Sequence, residues 1–147
     1  TFYKDLMLAH PRLSLLEDPF AEDHKNNWKL IKKELGKTIE IIGDDILTTN
    51  TKRLKEAIEQ NLITGVIVKP NQIGTLTETI EFAKLAKESN LSIVVSHRGG
   101  ETNSSFISDL AVAIGADYIK TGAPARGERV AKYNRLLEIE RELEISI

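Results

Sequence analysis

The chain has 147 residues and a formal net charge of −2, with 41% hydrophobic and 29% charged residues, which is typical of one ordinary α/β domain able to bury a core. Nothing in this composition suggests a nucleic-acid partner, and no apolar run is long enough to span a bilayer, so we expect neither nucleic acid nor a membrane as a partner. The lack of cysteine excludes disulfides and thiolate chemistry and agrees with the cytoplasmic location that we predict.

The N-terminal part of the chain predicts two helices that alternate with two strands. In order, these elements are Phe2 to His10, Leu13 to Leu16, Ala21 to Leu35 and Ile39 to Gly43. Trp28, Ile31 and Leu35 recur at steps of three and four, so this face of the second helix should meet the core. Each strand is followed at once by an acid, Glu17 after the first and Asp44 after the second.

The middle of the chain predicts a third helix and a strand that ends in a cation. The helix begins after the N-cap residues Thr48-Thr49-Asn50. The strand is the β-branched run Val66 to Val68, which stops abruptly at Lys69. Because an ammonium group is costly to desolvate without a partner, a strand buried on both faces has no structural need of one at its end. Lys69 is therefore the first candidate for a chemical role.

A fourth helix is predicted after Lys69. Thr75 and Glu78 have the spacing of a capping box. Leu76, Ile80 and Ala83 then recur on one face, which we expect to be the buried one.

The C-terminal part predicts two more strands and two more helices. In order, these are Ile93 to Ser96, a helix with Phe106, Leu110 and Ala113, Asp117 to Ile119, and a final helix with Val130, Tyr133 and Leu137. The two strands end in His97 and Lys120. The final helix is rich in Glu and Arg, and its alternating charges should form a solvated outer face.

The strand endings are evenly spaced along the chain. From Glu17 through Asp44, Lys69 and His97 to Lys120, the steps are 27, 25, 28 and 23 residues. Such a period is typical of βα units with parallel strands. In closed βα barrels the carboxyl ends of the strands meet at the mouth that holds the active site. We predict an α/β fold, a partial TIM-type βα barrel of about five such units; since a full barrel takes about 250 residues, a smaller open sheet is the alternative.

Two acids and two lysines at these endings predict metal-assisted chemistry. Glu17 and Asp44 offer the hard oxygen ligands that suit Mg²⁺, and alternation places Asp44, not Asp45, on the face of the strand that points inward. One of Lys69 and Lys120 could take a proton while the other stabilises an oxyanion. The alternative is that the acids cap helices or that acids and lysines simply neutralise one another.

The segment after the fourth strand predicts an anion site. It reads His97-Arg98-Gly99-Gly100-Glu101-Thr102. Arginine beside consecutive glycines lets a bidentate cation and bare backbone amides approach one anion, as phosphate sites require. The alternative is an ordinary turn. His10 and His24 have no comparable neighbours, and we interpret them as surface or packing residues.

Four segments of the chain form a distinctive set of motifs: SLLEDPFAEDHKNNW (14–28), VKPNQIGTLTETI (68–80), VVSHRGGET (94–102) and IKTGAPARGERVAKYNRLLEIEREL (119–143). These segments resemble the C-terminal part of enolase, the phosphopyruvate hydratase of glycolysis. They follow the family's order over essentially the whole chain. The resemblance implies Mg²⁺-dependent dehydration of 2-phosphoglycerate to phosphoenolpyruvate, catalysed by the later strands of a βα barrel.

The resemblance also implies roles for residues. Glu17 and Asp44 would be Mg²⁺ ligands, and Glu17 would also contact the substrate. Lys69 would remove the C2 proton, and Lys120 would bind the substrate and hold the enediolate. The remaining substrate contacts, including those to the phosphate, would come from His97, Arg98 and Gly99. Gly99 stands where enolases usually have serine, so we expect weaker phosphate binding, by about 1 kcal/mol for one neutral hydrogen bond.

The resemblance implies further parts that this chain does not contain. The chain opens at Thr1 without an initiator methionine, and residues 1–147 correspond to the C-terminal portion of the family's barrel domain. The N-terminal domain, the earlier strands, one acidic metal ligand, the acid for the leaving hydroxyl and the lid loops are expected upstream. We therefore expect little or no turnover from the isolated chain, and an oligomer or pairing with the missing part that covers its strand edges.

Two other functions remain open. The chain could be a catalytically inactive half-barrel that serves association or regulation. It could also be a superfamily member acting on a different carboxylate, against which the phosphate-type segment at His97 argues.

Overall fold

The computed structural model describes residues 2–145, in which helices and strands alternate as the sequence predicts. In chain order the elements are α1 (Phe2–Ala9), β1 (Leu15–Glu17), α2 (Lys25–Leu35), β2 (Glu40–Gly43), α3 (Thr51–Glu59), β3 (Gly65–Val68), α4 (Pro70–Ile73), α5 (Leu76–Glu88), β4 (Ser92–Ser96), α6 (Phe106–Ala113), β5 (Tyr118–Lys120) and α7 (Gly127–Ile145). The predicted α/β class with five βα units is confirmed. The sequence did not predict α4, a single turn that begins with a proline and ends at the left-handed Gly74 (φ 99°).

The chain divides into two compact units, Thr1–Ser92 and Ile93–Ile147. In the first unit, β1 lies parallel to β2 and β2 lies parallel to β3. In the second unit, β4 lies parallel to β5, with Ser96 opposite Lys120. Parallel pairing places the carboxyl ends of neighbouring strands at the same edge of the sheet.

The core of the first unit forms between the strands and the inward faces of α2 and α3. Trp28, Ile31 and Leu35 are buried, as predicted from their spacing. Both β2 and β3 are almost entirely buried. Each fully buried aliphatic side chain contributes about 1.5–3 kcal/mol relative to an exposed one, so this contact surface is the main stabilising feature of the unit.

Gly65 begins β3 at a place where no side chain fits. A Cβ at this position would collide with the side chain of Ile42 and would lie 2.8 Å from the carbonyl oxygen of Ser92. The close approach sets the packing of the strand whose end carries Lys69.

The prediction for the buried face of α5 is wrong for two of its three residues. Leu76 and Ile80 are 46% and 45% exposed. The buried residues are Thr79, Phe82, Ala83 and Ala86. Thr79 can be buried because its hydroxyl donates to the carbonyl of Thr75, at 2.7 Å, and leaves no unsatisfied polar group.

The predicted solvated face of α7 needs one correction. Lys132 lies on this helix with its side chain 0% exposed. In the sequence it does not differ from the other charged residues of α7. Leu137, which shares the apolar spacing, is instead exposed. The reason is tertiary, because three oxygens surround the ammonium of Lys132 and replace its hydration.

Within residues 2–145, none of the helices has the length and apolar character needed to cross a bilayer.

Candidate active site

Three of the predicted site residues lie at one edge of the sheet in the first unit. Glu17 is the last residue of β1, Asp44 follows β2 directly, and Lys69 follows β3 directly. The register pairs Glu17 with Ile42 and Gly43 with Val66, so the three strand ends are adjacent. Parallel pairing therefore brings these residues to the same edge, as the sequence predicts.

Asp44 and Lys69 form a largely buried ion pair. The Lys69 ammonium donates to Oδ2 of Asp44, and the two side chains are only 12% and 8% exposed, respectively. Asp44 is buried and Asp45 is exposed, in agreement with the predicted alternation. The sequence allowed two roles for Asp44, binding a metal or neutralising a lysine, and this contact is of the second kind.

The other oxygen of Asp44, Oδ1, is buried and has no hydrogen-bond partner among the described residues. A buried carboxylate oxygen without a donor is costly unless a cation or water meets it. The oxygen-only donors at this edge suit a hard cation such as Mg²⁺, so the residues present fit the ion that the sequence predicts.

Asp18 belongs to the same acidic group, although the sequence did not predict a role for it. Its carboxylate accepts from the backbone N–H groups of Asp44, at 2.9 Å, and Asp45, at 2.8 Å. Carboxylate oxygens of Asp18, Asp44 and Asp45 all lie within 4.8 Å of one another. Burial is the main cause that raises the pKa of Asp18, and the two nearby carboxylates raise it further against the two backbone hydrogen bonds. The sequence signal for Asp18 was its position directly after the candidate ligand Glu17 and before Pro19.

Thr49 and Gln72 hold the backbone at Lys69. The N–H of Lys69 donates to Oγ1 of Thr49 at 2.9 Å, and that hydroxyl donates to Oε1 of Gln72 at 3.0 Å. Thr49 has a φ of +54° and Thr48 a φ of +50°, a conformation that is strained for β-branched residues. Asn50, not either threonine, caps α3. The predicted cap segment thus also supports the candidate base.

In the second unit, His97 and Lys120 lie side by side. The N–H of His97 donates to the carbonyl of Lys120 at 2.9 Å. Nδ1 of His97 is buried and has no hydrogen-bond partner among residues 2–145. Burial lowers the pKa of His97; Glu101 opposes this effect, and the cations Arg129, Lys132 and Lys120 add to it. A neutral imidazole with an unsatisfied nitrogen can bind a polar ligand.

The glycine turn, defined here as Arg98–Glu101, follows His97. Arg98, Gly99 and Gly100 are exposed, and a Cβ at either glycine would meet nothing within 4 Å. The N–H of Arg98 donates to Oε1 of Glu101 at 2.8 Å. The tip of the turn is therefore open to a ligand while its base is closed.

Glu101 has no predicted role, yet it organises this turn. Burial would raise the pKa of its carboxyl, but the hydrogen bonds from Lys132 and from the Arg98 backbone outweigh burial and lower the pKa. Its position three residues after Arg98 was a signal for such a contact. The residues next to Lys132 in the sequence gave no comparable indication that its side chain is buried.

The structure thus groups the predicted residues within each unit. Asp44 and Lys69 touch, with Glu17 at the same sheet edge. His97 and Lys120 are joined through their backbones, and Arg98 and Gly99 lie in the adjoining turn. The convergence of all these residues on one mouth stays a prediction.

Residues 1–146 match the family described as "Enolase, C-terminal TIM barrel domain". Over 145 residues the chain is 50% identical to the enolase of Ehrlichia canis (strain Jake), with 99% of this chain and 34% of the relative covered. It is 53% identical over 141 residues to the enolase of Sulfurisphaera tokodaii, covering 96% of the chain and 33% of that relative. With the enolase of Metallosphaera sedula the identity is 54% over 141 residues, with 96% and 33% covered. The chain spans about a third of the length of these curated relatives. The prediction of a partial βα barrel is therefore confirmed, and the alternative of a smaller open sheet is not.

Proposed function

Since the chain belongs to the enolase family, we propose that it is the C-terminal part of an enolase barrel and serves the Mg²⁺-dependent dehydration of 2-phosphoglycerate to phosphoenolpyruvate. The observation that carries the proposal is the pair at the ends of β2 and β3. There the largely buried Lys69 ammonium contacts the buried Asp44 carboxylate, and Oδ1 of Asp44 has no hydrogen-bond partner among the described residues. A candidate base and a candidate metal ligand therefore share one site.

The proposed metal site consists of Asp44 and Glu17, with Asp18 in a supporting role. Asp44 would offer Oδ1, and Glu17 would offer its carboxylate from the neighbouring strand end. Asp18 holds the Asp44 backbone through its hydrogen bonds. When bound, Mg²⁺ supplies the positive charge that makes a proton next to a carboxylate acidic enough to be removed; the pairing of a lysine base with Mg²⁺ in enolase-type sites is an established example of this chemistry.

Each remaining residue has a proposed role in proton transfer or substrate binding. Lys69 acts in its unprotonated form and accepts the proton from C2 of the substrate, from a backbone position held by Thr49. Lys120 donates to the developing oxyanion. His97 and Arg98 bind the substrate and its phosphate, and Gly99 contributes a backbone amide. The C3–O bond then breaks and the hydroxyl leaves as water, with a proton from the acid expected in the upstream part of the enzyme, which yields phosphoenolpyruvate.

The proposal includes the setting of the reaction. We infer a cytoplasmic protein whose turnover needs the upstream part of the enzyme, supplied by a longer chain or by a partner. On this view the isolated chain contributes a half-site with little activity of its own.

Complementation tests this function. The chain is produced alone and together with the N-terminal two thirds of the Metallosphaera sedula relative, and formation of phosphoenolpyruvate is followed with Mg²⁺. We expect little activity from the chain alone and clear activity from the mixture. Because Lys69 is the proposed base, Lys69→Ala should lower kcat by about a hundredfold or more. Lys29→Ala, an exposed lysine on α2, is the matched control and should leave kcat unchanged.

Three results would contradict the proposal. Full activity in the complemented Lys69→Ala variant would show that Lys69 is not the base. A stable complex without activity would instead support the association module, and exchange of the α-proton of other carboxylic acids would support a different substrate.

A further inference from the structure

A buried cation lies behind the glycine turn. The Lys132 side chain is 0% exposed, and Nζ has three acceptors, Oε2 of Glu101 at 2.8 Å and the carbonyls of Thr102 at 2.8 Å and Glu128 at 2.7 Å. An ammonium group has three donors, so each has a partner. The charge is fully coordinated without water.

Through these contacts Lys132 closes the turn at both ends. Oε1 of Glu101 accepts from the Arg98 backbone at the start of the turn, while Oε2 accepts from Lys132. The same ammonium binds the carbonyl of Thr102, directly after the turn. One carboxylate and one ammonium therefore fix the two flanks of a segment whose tip is open.

The tip has no rigidity of its own. Gly99 and Gly100 lose more conformational freedom than other residues when a turn is ordered. Backbone amides bind an anion well only when they are already oriented toward it, because ordering them on binding lowers the affinity. The flanks must therefore supply the order that the two glycines lack.

We propose that Lys132 is a positioning residue: acting through Glu101, it holds the glycine turn in the conformation in which Arg98 and the glycine amides bind a phosphate group. The inference rests on the proposed function, in which this turn contacts the substrate phosphate. It adds a residue in α7, outside the turn, on which phosphate affinity depends.

Contacts other than those of the Lys132 ammonium anchor α7 to α6. The carbonyl of Lys132 accepts from Oγ of the buried Ser108 at 2.9 Å, which joins α7 to α6 without the ammonium. Arg135, three residues further on, pairs with Asp109, Glu138 and Glu142. Arg135 thus holds the same two helices together through carboxylates outside the turn, and it is the matched control.

The test is a titration of the chain with inorganic phosphate, followed through the amide NMR signals of Gly99 and Gly100. We expect saturable shifts in the unsubstituted chain. Lys132→Met should weaken the phosphate affinity about tenfold or more, since the turn loses its charge-assisted contacts. Arg135→Met should change it by less than about twofold, because the pairs it loses are on the surface. All titrations are run at a temperature where each variant is folded.

Two substitutions at Glu101 keep the inference testable if Lys132→Met does not fold. Glu101→Gln retains an oxygen for the Arg98 amide, whereas Glu101→Ala removes the link between Lys132 and the turn. We expect the larger loss of phosphate affinity in Glu101→Ala and a smaller one in Glu101→Gln.

The outcomes separate this inference from the proposed function. Saturable binding that is equally tight in the Lys132 and Glu101 variants would overturn the positioning role and leave the phosphate contact standing, and so would an equal loss in Arg135→Met. An unsubstituted chain that shows no saturable shifts at either glycine would overturn the phosphate contact of the proposed function, and the inference with it.

Discussion

At the residue scale, two lysines are withdrawn from solvent, Lys69 largely and Lys132 completely, and only Lys69 was indicated by its place in the sequence. Lys69 is held by Asp44, and Lys132 by Glu101 and two carbonyls. Burying a charge is tolerated only with such partners. The two contacts have different consequences, because Lys69 lies at a strand end next to an unsatisfied carboxylate oxygen, whereas the donors of Lys132 are all used.

His97 offers a direct test of the charges around the glycine turn. Burial lowers its pKa from the ordinary value of 6.5, and Glu101 is the group that opposes this effect. Removing the Glu101 charge with Glu101→Gln should therefore lower the pKa of His97 further, while Arg129→Gln should raise it. The measurement is an NMR titration of the imidazole ring protons. A pKa that rises in Glu101→Gln would contradict the arrangement.

The same shift determines the direction of the pH dependence of stability. The folded-state pKa of His97 is lower than its unfolded value, so the unfolded chain binds the proton more readily. The stability contributed by neutral His97 is therefore present above pH 6.5 and is lost as the pH falls through the folded-state pKa. Glu101 acts in the same direction at lower pH, since its folded-state pKa is below 4.5 and its contribution is lost as the pH falls through that value.

At the scale of elements, the connections after β2 and β3 support the candidate base. The strained Thr48–Thr49 segment leads from β2 into α3, and Thr49 reaches the backbone at the end of β3. The α4 turn adds Gln72, which accepts from the same hydroxyl. Residues in strained backbone conformations persist when the surrounding structure over-determines them, and they concentrate at functional sites.

Thr49→Val should destabilise the chain. Valine keeps the shape and the branched Cβ, but the Lys69 N–H and the Gln72 carbonyl lose their shared partner. An unsatisfied buried donor costs about 1–3 kcal/mol, which denaturant unfolding would detect. Thr49→Ser keeps the hydroxyl and is the control. Equal stability of the two variants would show that the hydroxyl contributes nothing.

At the scale of the whole molecule, the chain contains candidate metal ligands and candidate anion-binding residues but only about a third of the length of its relatives. Its net charge of −2 is small. Binding therefore depends on the local arrangement of charges at the strand ends rather than on the field of the whole protein.

Mg²⁺ should stabilise the chain against thermal unfolding. A ligand that binds only the folded state at one hundred times its Kd adds about 2.7 kcal/mol. Asp44→Asn should abolish the Mg²⁺-dependent rise in Tm, because the proposed ligand loses its charge. Asp23→Asn, an exposed acid outside the cluster, should keep it. Tm is measured in Mg²⁺ and in EDTA for each variant. A Mg²⁺-dependent rise in Tm that persists in Asp44→Asn would show that other residues bind the metal.

The alternation of elements and the position of each strand end could be inferred from the amino-acid sequence. The endings at Glu17, Asp44, Lys69, His97 and Lys120 agree with the structure to within one residue. The buried face of α2 was also predicted correctly. These features depend on local periodicity and on where apolar runs stop, so they can be inferred without knowing which elements meet.

Which polar groups are buried and which apolar groups are exposed depends on contacts between elements that are distant in the sequence. The tertiary structure placed Asp18 against Asp44, gave Thr49 its contact with Lys69, left Leu76 and Ile80 exposed, and enclosed Lys132. Each of these outcomes depends on partners 20 or more residues away along the chain or on the face that a neighbouring element covers. A charge can be buried only when distant oxygens surround it, and the spacing of residues along a helix does not contain that information.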